Sequence, residues 1–321
     1  MNRATRTAIG GIVTVAALGA GGYLVWDQIP PLTVIADLLA DADPVWLAAA
    51  LLAEVIAIVA FSVIQRRLVV DLGGDLSRRR SVELTLTSGA ISSALPAGAA
   101  LGAGYTYRRL RRAGLRGADA GVTMVASAGM LTGALLLLYL VLTGPTLLEQ
   151  LSDVIGRNHV AALVLLVGAI LLYVIVKPRH PGEPGDEPAG WLTEHVRTSR
   201  ATFRAVPPEA WWISSVSAVV KWVADFAVLA AATLAVGATV DFVGLATVYV
   251  GIQVIRQIPL TPGGIGIIEA ALLAGLVTAG AAAPPAAAAV VIYRVLTFWL
   301  ILPAGAIAAL FDRAGDRAVL A

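Results

Sequence analysis

Apolar positions in this chain come in long runs rather than in the alternating or amphipathic spacing of soluble strands and helices. A run of about 18 or more apolar residues is enough to cross a hydrocarbon layer roughly 30 Å thick. Such runs predict spanning helices near 8–26, 45–66, 118–143, 159–177, 208–237 and 283–311. The first follows Arg3 and Arg6, but it is longer than the apolar core of a signal peptide and lacks a clear cleavage site, so it is expected to be retained. The runs recur along the whole length and leave no room for a large soluble domain.

Two further segments, 81–112 and 240–280, are apolar but interrupted, at "ALPAGAALGAG" (94–104) and at "IPLTPGGIGIIE" (258–269). Proline removes an amide donor and blocks helix continuation, and glycine permits tight-turn angles, so each segment predicts helix, break, helix. Each arm is too short to cross a bilayer, which predicts two re-entrant hairpins. Broken backbone cannot face lipid, so the breaks must be buried in protein or line a polar cavity.

Shifting the chain by 166 positions lays Pro96 on Pro262, Gly98 on Gly264 and Gly114 on Gly280. Each hairpin follows a spanning helix with a charge at membrane depth, Glu54 in one and Lys221 with Asp225 in the other. The distribution of Lys and Arg predicts a cytoplasmic amino terminus and carboxy terminus: Arg66, Arg67, Arg78 to Arg80, the cluster at 108–112, Arg116, Lys177, Arg179, Arg197, Arg200, Arg204, Arg313 and Arg317 fall inside, and only Arg157 outside. In that topology the first hairpin enters from the cytoplasm and the second from outside. The fold class expected is an all-α, polytopic integral membrane protein with about six spanning helices and two re-entrant hairpins in an inverted repeat. It divides into an N-terminal helix and acidic outer loop (1–44), a first half (45–177), a cytoplasmic polar linker (178–207) and a second half (208–321), acting as one membrane domain.

Composition agrees with this reading. Of 321 residues, 58% are hydrophobic and only 14% charged, about half the charged share of a soluble domain. The absence of cysteine excludes disulfides and thiolate metal sites. The basic residues sit in juxtamembrane loops, so no nucleic-acid partner is expected. His159, His180 and His195 lack metal-ligand spacing and read as solvated; neither a metal nor another cofactor is expected. Residues 190–204 within the linker could form a short interfacial helix.

Six charges fall at membrane depth: Glu54, Lys221, Asp225, Arg256, Glu269 and Arg294. Charges there are costly and pair, or face a cavity. Lys221 and Asp225, four apart, share a helix face and either pair locally or join a pathway. Glu269 opens the returning half-helix; it either supports that helix end or pairs with Arg256 or Arg294, or it contacts a cationic headgroup or carries a coupling proton. Arg256 and Arg294 have the geometry to hold a phosphate, and amides freed after Pro96 and Pro262 would add to such a cradle. No catalytic constellation and no P-loop occurs, so no enzyme activity is expected.

The stretches "IPLTPGGIGIIEAAL" (258–272), "YRVLTFWLILPAG" (293–305) and "ALPAGAALGAGYTYRRLRRAG" (94–114) resemble the membrane region of the lysylphosphatidylglycerol synthase/flippase proteins and their stand-alone relatives, over roughly 45–311. The resemblance implies movement of an aminoacylated phospholipid between leaflets and maps that role onto Pro262, Gly263, Gly264, Gly266, Glu269, Tyr293 and Arg294. Full-length members carry a soluble lysyl-transfer domain, whereas this chain ends about ten residues after its last predicted helix, so lysyl transfer is not expected. Glycolipids and polyprenyl-phosphate-linked sugars therefore stand beside aminoacyl-phospholipids as substrates. The expected function is flipping of a phosphate-containing amphipathic lipid in the cell membrane. A small-solute or ion transporter on the same scaffold, or a non-catalytic partner of a lipid synthase or glycosyltransferase, stays open, as does a homo-oligomer.

Overall fold

The computed structural model describes residues 31–95, 97–157, 202–203, 205–256 and 261–319. The expected helices at 8–26 and 159–177, most of the linker, and Pro96 lie outside the described residues. Within them all regular structure is helical. In chain order the helices are α1 (Leu32–Ala40), α2 (Pro44–Asp71), α3 (Arg78–Ala94), α4 (Gly98–Arg112), α5 (Gly117–Arg157), α6 (Pro208–Ala235), α7 (Phe242–Ile255), α8 (Ile267–Thr278), α9 (Ala283–Arg294) and α10 (Ile301–Val319). A short 3-10 turn, Pro262–Gly264, precedes α8, and a π turn, Val295–Trp299, joins α9 to α10. Four helical stretches among the described residues are long and apolar enough to cross a membrane: Pro44–Asp71, Gly117–Leu142, Pro208–Ala235 and Ala283–Phe311. These coincide with the four predicted spans that fall within the described residues.

α2 and α6 form the central pair, and they run antiparallel. The Asp43 amide, at the start of α2, donates to the Ala235 carbonyl at the end of α6 over 2.8 Å, while Arg67 near the end of α2 lies 3.9 Å from Glu209 at the start of α6. Both helices are 28 residues long and both begin with proline, Pro44 and Pro208, at the position where a missing amide costs nothing. Both are followed by a left-handed glycine, Gly73 (φ 83°) and Gly237 (φ 65°). Side-chain caps then start the next helices: Ser77 accepts from the Arg80 amide and Asp241 from the Gly244 amide. At the far end of each hairpin, Gly114 (φ 98°) and Gly280 (φ 102°) close α4 and α8 in the same conformation. The next long helices begin at Gly117 and Ala283. Among the described residues the two halves thus share their helix starts, capping glycines and breaks, and not merely three Pro and Gly positions.

Each interrupted segment folds back on itself. In the first, α3 and α4 pack arm to arm; a Cβ on Gly98 would stand 2.2 Å from the Ser92 carbonyl oxygen, so only glycine lets the arms converge behind the break. In the second, Gly275 of α8 lies against Val248 of α7, and Gly244 against Ala279. The arms have 12 to 17 residues, roughly 18–26 Å at helical rise and short of the about 30 Å of a bilayer core. Because α3 starts just past the end of α2, and α7 just past the end of α6, the antiparallel central pair makes the two hairpins open at opposite ends of the bundle.

One expectation is corrected. The stretch expected as an outer loop contains α1, whose Ile35, Leu38 and Leu39 form a helical stripe packed on the main core and whose partner is α9. Asp37 and Asp41 made the segment read as loop, yet three apolar positions on one face were enough to dock it on the core while its other faces stay exposed.

Candidate functional site

The two hairpin tips touch. A Cβ on Gly263, in the second break, would stand 2.8 Å from the Ser93 carbonyl oxygen at the end of α3 and 2.1 Å from Cε2 of Phe298 in the π turn. Gly263 is also left-handed (φ 59°), so the position excludes a side chain twice over.

Behind this contact, Glu269 and Arg294 lock the break. Arg294 Nε donates to Glu269 Oε1 over 2.6 Å and its second terminal nitrogen donates to the Gly263 carbonyl over 3.1 Å. The other oxygen of Glu269 accepts from the Gly266 amide over 2.7 Å, closing the first turn of α8. The Arg294 guanidinium also lies 4.3 Å from the Phe298 ring centre. Of the two partners foreseen for Glu269, the structure gives Arg294. The first-turn amide of α8 expected to await a phosphate is thus occupied by the chain's own carboxylate. At the first break the Gly98 amide donates to the Leu95 carbonyl over 2.9 Å.

Arg256 stands apart from Arg294. It caps the end of α7, lies over the Tyr293 ring at 5.6 Å, and lines a cavity of about 400 Å³ together with Glu54, Lys221 and Asp225. Asp225 Oδ2 accepts from Tyr249 (2.8 Å), Gln253 (3.1 Å) and Lys221 (3.3 Å), and the Lys221 ammonium sits 3.2 Å from the Trp222 ring centre. The local pair therefore forms, and it also faces the cavity. Glu54, on α2, is 7% exposed. The remaining wall mixes hydroxyls and small residues, among them Ser88 and Ser92 of α3, Gly102 of α4 and Thr297, with larger apolar side chains such as Phe61, Leu110 and Leu131. α3 supplies them because its sequence, RRRSVELTLTSGAISSA, is polar on a face that an isolated membrane helix could not tolerate.

A second groove of about 520 Å³ lies on the other face of α3, lined by Ala90, Ala94, Leu95, Leu302 and Ala306, with Arg112 also in its wall. Sequence reasoning overlooked Tyr249 and Gln253. They were visible as two polar positions one turn apart in the largely apolar α7, a spacing that puts both on one face.

Residues 8–305 match the family described as the lysylphosphatidylglycerol synthase TM region. The chain belongs to that family. A UPF0104 membrane protein of Methanothermobacter thermautotrophicus is 25% identical, over 85% of this chain and 87% of that protein. The lysylphosphatidylglycerol synthase TM region is a multi-pass membrane unit, and the touching tips and the charged cavity are this member's arrangement of it.

Proposed function

We propose that this protein translocates a phosphate-containing amphipathic lipid, of the aminoacyl-phospholipid, glycolipid or polyprenyl-phosphate type, between the leaflets of the cell membrane. The observation that carries this reading is the meeting of two short-armed hairpins, opening at opposite ends, beside a cavity that holds Arg256, Lys221, Asp225 and Glu54. Paired discontinuous helices with a midplane site are the architecture of alternating-access carriers. Arg256 is the phosphate ligand, since its guanidinium lies in the cavity wall while that of Arg294 is bound to Glu269. The headgroup uses the polar face of α3, and the apolar groove on its other face suits the tails. The arginine-rich end, with Arg66, Arg67, Arg78 to Arg80 and Arg108 to Arg112, is assigned to the cytoplasm.

The test is translocation of fluorescent phosphatidylglycerol, glycolipid and polyprenyl phosphate in proteoliposomes, read by chemical quenching of the outer leaflet. The expected outcome is acceleration by the wild type for one of the three, reduced at least about tenfold in Arg256→Ala. Rates equal to protein-free vesicles for all three lipids would remove the reading.

A further inference from the structure

The four charges of the cavity share their partners unevenly. Asp225 is surrounded by donors, and the Lys221 ammonium is held between Asp225 and the Trp222 ring. Glu54, only 7% exposed, lines the same cavity, and its Oε2 has no hydrogen-bond partner among the described residues. A carboxylate is not left so in an apolar interior without a reason. Arg256 rests on the Tyr293 ring, and among the described residues no carboxylate comes within 4.0 Å of its nitrogens.

The charges acting on Glu54 come from two other elements: Asp225 and Lys221 on α6, and Arg256 at the end of α7. Among the described residues the other packed elements face the cavity with neutral groups only, such as Ser88 of α3, Thr106 of α4, Ser127 of α5 and Thr297 of the π turn. With Glu54 ionised, two negative and two positive charges cancel. With Glu54 protonated, one positive charge is left over, and a phosphodiester carries the single negative charge that restores balance. A phosphodiester beside an ionised Glu54 would instead put an uncompensated negative charge at membrane depth, which the low dielectric penalises.

We propose that Glu54 and the lipid phosphate alternate as counter-ion of Arg256, so that each bound phosphodiester brings one proton onto Glu54. The proton comes from water and returns to it when the lipid leaves, with no bond made in the lipid. This rests on the lipid-translocation reading, and it names the proton through which a gradient would act on that movement. It concerns binding rather than passage, so it is testable without a transport assay.

The experiment uses purified protein in detergent and short-chain phosphatidylglycerol as probe, with binding followed by calorimetry and proton exchange by a pH indicator in weak buffer, from about pH 6 to about pH 9. Wild type is expected to bind more weakly as pH rises, by up to about tenfold per unit, with uptake approaching about one proton per lipid at the alkaline end. Glu54→Gln is expected to bind with an affinity that does not change with pH and without proton uptake. Wild-type binding with no uptake anywhere in the range overturns the coupling and leaves the binding site standing. Unchanged uptake in Glu54→Gln overturns it too, since the proton then sits elsewhere. No saturable binding by wild type overturns both the coupling and the phosphate site. The wild-type measurement decides even if the variant does not fold.

Discussion

Arg294 reaches back 25 positions to Glu269, Nε to Oε1 at 2.6 Å, and in the same grip holds the Gly263 carbonyl. The pair ties α9 to the start of α8 and fixes the second break from behind. Arg294 is buried while the Glu269 side chain is one-third exposed, at 32%, so solvent screens part of the attraction. Arg294→Ala is expected to cost about 2–4 kcal/mol, because it strands a carboxylate and frees a carbonyl together. Glu269→Gln keeps an acceptor for the Gly266 amide and should cost less, about 1–2 kcal/mol. Thermal unfolding in detergent checks the order; an Arg294→Ala midpoint equal to wild type would assign the pair to something other than holding the break.

Gly263→Ala brings a methyl group into Phe298 and the Ser93 carbonyl and forces alanine into the left-handed region. The backbone part alone costs about 1–2 kcal/mol. The steric part depends on Phe298, so Gly263→Ala should cost measurably less in a Phe298→Ala background. A double-mutant cycle reads this as a coupling of about 1 kcal/mol or more. Strict additivity would mean that Gly263 does not pack against Phe298.

Asp225 is expected to be the most sensitive residue of the cavity. Its Oδ2 takes three hydrogen bonds, and Asp225→Ala removes the acceptor that Lys221, Tyr249 and Gln253 share, leaving the Lys221 charge part-buried without it, at a cost of about 3–5 kcal/mol. Tyr249→Phe removes one of the three and should cost about 1–2 kcal/mol. The ratio of the two losses in chemical denaturation is the measurement, and comparable losses would contradict a shared acceptor.

The opposite openings of the hairpins are open to a direct check because the chain has no cysteine. Asp75→Cys lies at the mouth of the first hairpin and Val240→Cys at the mouth of the second. A membrane-impermeant maleimide added to oriented vesicles should label one from outside and the other only after lysis. Labelling of both from the same side would refute the inverted arrangement.

Much of this was legible in the chain. Run length sets whether a segment can span, so the helices at 45–66, 118–143, 208–237 and 283–311 were placed nearly as they stand. Pro and Gly act within their own turn, so both breaks were placed as well. Pro44 and Pro208, equally spaced from Gly73 and Gly237, were overlooked because identity at a few capping positions is invisible until the helices they bound are known. α1 was hidden for a related reason: its two aspartates outweighed a stripe that counts only once α9 is there to cover it.

By itself the sequence determined which of the described segments are long and apolar enough to cross and where two others break, since each follows from local chemistry and hydrophobic length. Only the tertiary structure decided which arginine Glu269 takes, that Arg256 stays with the cavity, and that Glu54 Oε2 has no hydrogen-bond partner among the described residues. Those choices turn on distances of a few ångströms between residues far apart in the chain, and electrostatic pairing in a low dielectric is set by such distances rather than by sequence order.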